Sequence, residues 1–123
     1  MSLLPVKTTT LSEFEAKRCE KLVAEFIREM RPPPHLRARL DLAFRISGQG
    51  IEIFELRPHF MDKEKILENS VAKATYNKRK LNWKVFWKRA DLKWHGYPPS
   101  PEVASVEEFL DLVRNDDHCC FFG

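Results

Sequence analysis

Two proline clusters divide this chain and limit what it can become. Pro32-Pro33-Pro34 and Pro98-Pro99 with Pro101 cannot continue a helix, because proline lacks the amide hydrogen and restricts the residue before it. Before the first cluster, Phe14, Cys19, Leu22, Val23, Phe26, Ile27 and Met30 recur at steps of three and four, the spacing of one buried helical stripe. Ser12 with Glu15 forms a capping box at its start, and Thr10 with Glu13 fits the same rule two residues earlier. After the second cluster, Ser105 with Glu108 caps a second helix whose inner face is Val106, Phe109, Leu110 and Val113.

Between the clusters the period changes to two. Leu40, Leu42, Phe44 and Ile46 alternate with Arg39, Asp41, Ala43 and Arg45, as in a half-buried strand. A two-residue loop at Gly48 and Gln49 places Ile46 opposite Ile51, Phe44 opposite Ile53 and Arg45 opposite Glu52. The same register puts Glu55 opposite Leu42, in apolar phase, where a carboxylate needs a partner or the sheet edge; the expectation is an exposed strand end just before Pro58, with a functional buried acid as the alternative. Residues 62–70 read as a polar connection with a helical turn around Ile66 and Leu67. Three short strands follow, Val71 to Lys78, Trp83 to Lys88 and Lys93 to Tyr97, and their short links favour an antiparallel meander. The expected architecture is α+β: an antiparallel sheet of about five strands, a hairpin plus a three-stranded meander, with an N-terminal and a C-terminal helix packed on it.

With 123 residues, 43% apolar and 32% charged, the chain supports a single domain over 1–123, and disorder, collagen and small disulfide scaffolds are excluded. No apolar run reaches the roughly 20 residues of a membrane helix, and the first ten residues lack a signal-peptide pattern. Three cysteines without a spaced framework, Cys19, Cys119 and Cys120, point to a reducing cytoplasm. The terminal Cys120-Phe121-Phe122-Gly123 has the outline of a prenylation box, but its aromatic middle, terminal glycine and acidic flank argue against one. His118, Cys119 and Cys120 are adjacent and match no zinc spacing, so no metal or cofactor is expected; Cys119 and Cys120 read as small hydrophobes docking the end of the chain on the core.

The net charge of +3 conceals a strong division. Residues 61–97 hold 10 basic and 4 acidic groups, and residues 98–123 hold 1 and 6. Lys73, Lys78, Arg79, Lys80, Lys84, Lys88, Arg89 and Lys93 stand against Asp91 alone, and all three tryptophans and both tyrosines lie between 76 and 97. Basic side chains neutralise phosphates and flat ones stack on bases, so this interleaving suits single-stranded nucleic acid. Trp94, His95 and Tyr97, near a strand end, complete the polyanion-binding set. The alternative is that Trp83, Val85 and Trp87 face the core while the acidic C-terminal segment neutralises the basic sheet, within the molecule or across a homodimer. An acidic protein is then a second class of partner.

One catalytic pattern competes. If a strand runs unbroken from Arg89 to His95, then Arg89, Asp91, Lys93 and His95 share a face, and Asp91-Leu92-Lys93 matches the acid-x-lysine step of metal-dependent nucleases or phosphodiesterases, in which carboxylates hold the ion and lysine orients water. That chemistry needs a second acid from Asp41, Glu52 or Glu55. In a tight turn, Asp91 instead caps backbone amides. With 4 Gly in the chain, no phosphate loop or dinucleotide fingerprint is present.

The paired Trp83 and Trp87, the run Arg89-Ala90-Asp91-Leu92-Lys93-Trp94-His95, Tyr97 and the final Cys120-Phe121-Phe122-Gly123 resemble an uncharacterised bacterial family, number 3024 among the domains of unknown function. The resemblance covers the C-terminal half, from Ser70 onward. It implies a bacterial protein and carries no activity, cofactor or catalytic residue with it. The functional expectation is a small cytoplasmic interaction domain with a basic aromatic sheet surface; a metal-dependent phosphodiesterase centred on Asp91 and Lys93 and a structural dimerisation module are the alternatives.

Overall fold

The structure is a computed structural model and describes residues 11–122. Thr10 and Gly123 lie outside the described residues. Helix α1 (Glu13–Met30) begins at Ser12, whose hydroxyl accepts from the Glu15 amide at 3.1 Å, and ends at Arg31 before the first proline cluster. Cys19, Val23, Phe26 and Ile27 form its buried stripe. Six strands follow: β1 (Asp41–Ser47), β2 (Gly50–Pro58), β3 (Ile66–Asn77), β4 (Asn82–Lys88), β5 (Trp94–Gly96) and β6 (Glu102–Val103). Helix α2 (Val106–Asn115) closes the fold, capped by Ser105.

The sheet is antiparallel throughout, in the order β1-β2-β3-β4-β5, with β6 pairing β4. The β1–β2 hairpin has the register read from the sequence: Ile46 opposite Ile51, Phe44 opposite Ile53, Arg45 opposite Glu52 and Leu42 opposite Glu55. Gly48 takes φ +59 in its turn, a conformation that costs glycine least. Two expectations fail around this hairpin. Residues 66–70 are strand rather than a helical turn, because β2 runs to Pro58 and its amides find partners in Ile66–Asn69. Glu55 is buried, 8% exposed, rather than an open strand end.

A β-bulge at Val71 shifts the register, so that Ile53 faces Ala72 and Phe54 faces Ser70. Val71 and Ala72 are successive residues and both join the core, which the bulge permits by inserting one residue into the pleat. The short β6 is an addition to the expected five strands; it covers Trp83 with Val103. Both helices pack on one face of the sheet, against Ile51, Ile53, Ala72, Ala74, Trp83 and Val85. Among the described residues, the other face carries no helix.

The end of the chain is held by Asp116. Its backbone adopts the left-handed conformation at φ 45, and its carboxylate accepts from the amides of Phe121 at 3.0 Å and Phe122 at 2.9 Å. Phe121 is thereby buried against Tyr97, ring centres 4.8 Å apart. Cys119 does not join it: the thiol side chain is exposed, with Cys120 half-buried.

Candidate nucleic-acid interface

Strand alternation sends Lys73 and Thr75 of β3, Lys84, Phe86 and Lys88 of β4, and Trp94 of β5 to the helix-free face. Their register ties them into one patch: Lys73 faces Phe86, Thr75 faces Lys84, and Lys88 faces Trp94. The Lys73 ammonium stands 5.2 Å from the Phe86 ring centre and 4.9 Å from that of Trp94, and Lys88 lies 5.4 Å from Trp94. Both aromatic rings are half-buried.

The charge on this face is uneven. On its β1–β2 side, Arg45 pairs with Glu52 at 3.3 Å and with Glu68, and Ser70 donates to Glu52 at 2.7 Å. On its β3–β5 side, Lys73, Lys84 and Lys88 have no carboxylate within ion-pair distance among the described residues. Of the acidic C-terminal segment, Glu102 stands opposite Lys84 in the β4–β6 register, and Lys84 adds to the effects that hold its carboxyl low; the acids of α2 lie elsewhere. Glu107 of α2 pairs with Arg18 of α1 at 2.6 Å, and Asp111 pairs with Arg114, which also holds Glu29 at 2.8 Å. The acids of α2 therefore tie the two helices together on the far side of the sheet.

A groove of about 550 Å³ runs along the end of this face, lined by Gln49, Thr75, Tyr76, Asn77, Lys78, Arg79 and Lys84. A smaller one of about 240 Å³ shares Gln49 and Thr75 with it and reaches Lys73. The β3–β4 turn that presents Lys78 and Arg79 is fixed by Asn77, whose carboxamide oxygen accepts from the Arg79 amide at 3.1 Å, and by Leu81 at φ 56. Gln49 and Thr75 are groove residues that charge and aromatic patterning do not reveal, since neither is charged or flat.

The other expected binding residues lie elsewhere. Lys80 pairs with Glu102 at 3.4 Å, and hydrogen bonds from Asn82 and then Lys80 hold that carboxyl below its ordinary range. Tyr97 is a core residue, 1% exposed, whose hydroxyl is pushed up by burial; it has no free face for a base. His95 faces Trp87 on the helix-bearing side, and Arg89 stacks over Trp87 at 5.7 Å there. Lys93 is exposed in the β4–β5 turn, beside the patch but not on a strand.

That turn also settles the geometry of Asp91. The strand breaks after Lys88, and Leu92 takes φ 64, so Arg89, Asp91, Lys93 and His95 do not share a strand face. Asp91 accepts from the Lys93 amide at 2.9 Å and meets His95 Nε2 at 2.8 Å; these contacts, the amide foremost, hold its carboxyl low. Asp41 is bound by Arg31, Glu52 by Arg45, and Glu55 by Arg57. They sit on β1 and β2, at least two strand spacings, about 10 Å, from β4. Among the described residues no three His, Cys, Asp or Glu side chains come together to hold a metal ion, and no helix is long and apolar enough to cross a membrane.

Two helices on one face of a six-stranded antiparallel sheet, with a basic aromatic patch on the other, define an α+β domain of the helix-on-sheet class. The chain belongs to the family described as Domain of unknown function (DUF3024), whose model matches residues 11–123. The match takes in α1 and the first hairpin as well as the C-terminal half that carries the tryptophan motif. No curated protein and no solved structure matches the chain.

Proposed function

We propose that the helix-free face binds single-stranded nucleic acid. The observation that supports this reading is the patch itself: Lys73, Lys84 and Lys88, none within ion-pair distance of a carboxylate among the described residues although Glu52 and Glu102 stand opposite Lys73 and Lys84, interleaved with Phe86 and Trp94, beside a groove lined by Lys78 and Arg79. The lysines that now cap the rings do not prevent stacking. An exposed cation–π contact is worth about 0.5–1 kcal/mol, and a stacked base about 1–3 kcal/mol, so a base gains by displacing an ammonium, which then meets the phosphate. We infer a bacterial cytoplasmic setting, in keeping with three free cysteines. The test is fluorescence anisotropy with a labelled oligothymidylate, using polyglutamate as competitor. Nucleic-acid binding predicts that excess polyglutamate displaces the oligonucleotide poorly; equal competition by charge alone would place an acidic protein ahead of nucleic acid as partner.

One observation favours a second reading, self-association. The β2–β3 hairpin exposes Phe60 and Met61, 84% and 79% open, with Ile66 and Leu67, and the start of β3 pairs only with β2. Unpaired edges of this kind template further strands. Sedimentation equilibrium of the intact chain and of Leu67→Lys tests it: a dimer lost in the variant supports self-association, and a monomer in both rejects it.

A further inference from the structure

Glu55 takes no part in the basic aromatic face. It lies at 8% exposure on the helix-bearing side of β2, far from the basic patch, and lines a cavity of about 280 Å³ whose other walls are Met30, Pro32, Leu40, Leu42 and Phe122. Five walls are apolar and one is a carboxylate. Among the described residues, its Oε1 accepts all of its hydrogen bonds: from Arg57 Nε at 3.4 Å, Arg57 Nη2 at 3.3 Å and Asn69 Nδ2 at 3.2 Å. Oε2 accepts from none of the described residues.

The Arg57 contacts are long for a charge-assisted pair, which ordinarily closes to about 2.7–2.9 Å, and the Arg57 side chain is 53% exposed. Two guanidiniums close in sequence to the cavity walls Met30, Pro32 and Leu40 are committed elsewhere: Arg31 holds Asp41, and Arg37 donates to the Pro32 carbonyl at 2.8 Å. Glu55 thus lines an apolar cavity with one carboxylate oxygen that accepts no hydrogen bond among the described residues. An anion would be repelled there, and an apolar ligand would cover Oε2 without supplying it a donor.

We propose that this cavity is a binding site for a small primary ammonium compound with an apolar body, the ammonium donating to Glu55 Oε2 and the body filling the space between Met30, Leu40, Leu42 and Phe122. The volume lies just below the roughly 300–1,000 Å³ of common small-molecule sites, which selects a compact ligand.

Titration of the intact protein with phenethylammonium chloride, followed by heteronuclear NMR, tests the site. Phenethyl alcohol, of the same shape without the charge, is the control. The expected result is saturable shifts at the amides of Met30, Leu40, Leu42, Glu55 and Phe122, with the ammonium at least about tenfold tighter, equivalent to about 1.4 kcal/mol. In Glu55→Gln that preference should vanish while the alcohol still binds. Equal affinities in the wild-type protein, absence of saturable shifts at millimolar ligand, or a preference that survives Glu55→Gln would overturn the proposal. So would binding of a lysine-containing peptide at these amides with none by phenethylammonium. Should Glu55→Gln not fold, the wild-type comparison of ammonium with alcohol decides alone.

Discussion

The ammonium of Lys73 stands 4.9 Å from the centre of the Trp94 indole, although β4 separates the strands that carry them. The pair spans the helix-free face and joins its charge to its aromatic surface. Trp94→Ala removes the stacking plane and leaves the core untouched, since the indole lies on the side opposite the helices. It should weaken oligonucleotide binding roughly tenfold, within the range of one lost base stack, with an unchanged melting temperature. Tyr97→Phe should leave binding as it is. Anisotropy titrations beside thermal melts check both.

The first proline cluster is fastened to the sheet by Arg31, which grips Asp41 through two hydrogen bonds, Nε to Oδ1 at 3.0 Å and a second to Oδ2. That grip, foremost, holds the Asp41 carboxyl below its ordinary value. The folded state therefore binds fewer protons than the unfolded one in the window beneath an unfolded carboxylate's pKa of about 3.9. Its contribution is complete above that value and is lost as pH falls through the lower, folded one. Asp41→Asn should lower stability at neutral pH and flatten the acid limb of the stability curve. Urea melts between neutral and strongly acid pH read this directly.

Asp116 fixes the C-terminus through the amides of Phe121 and Phe122. Asp116→Ala strands two donors and puts a Cβ without capping ability at φ 45, so a loss of about 1–3 kcal/mol is expected. Phe121→Ala, which opens space beside Tyr97, should cost roughly 3 kcal/mol or more. In both variants amide exchange should accelerate across residues 117–122 before it does in α2. Equal protection in variant and parent would show that the terminus is held by other contacts.

Helix α2 depends on Ser105, whose hydroxyl accepts from the Glu108 amide at 3.2 Å. Ser105→Ala should cost about 1 kcal/mol, and Phe109→Ala, fully buried, roughly 3–5 kcal/mol. Denaturant midpoints at unchanged slope would report both as losses of stability alone.

Local periodicity and capping were enough to read α1, α2 and the β1–β2 register, because each depends on residues a few positions apart: Ser12 with Glu15, Ser105 with Glu108, Ile46 with Ile51. What the sequence hid depends on distant pairing. The strand character of Ile66–Asn69 exists only through its pairing with Glu55–Pro58 of β2, and the bulge at Val71 appears only in that pairing. Glu102–Val103 is too short to have a period, and only its pairing with β4 makes it a strand. At the candidate site, charge and aromatic content marked out β3, β4 and β5, but the partner of each side chain depends on contacts distant in sequence. Tyr97 went to the core with Phe121, His95 turned to Asp91, and Lys80 found Glu102, leaving Lys73, Lys84, Lys88 and Trp94 on the open side.

The salt dependence of oligonucleotide binding, measured for the wild-type chain and for the triple variant Lys73→Gln/Lys84→Gln/Lys88→Gln, tests the open basic face most directly. Each phosphate neutralised on a single strand contributes a slope of about −0.7 in log K against log salt. Three lysines therefore predict a wild-type slope of about −2 or steeper, a roughly twentyfold loss between 50 and 200 mM salt, and a slope shallower by about 2 in the variant. Binding that ignores salt, or a variant with the wild-type slope, would contradict the assignment of nucleic acid to this face.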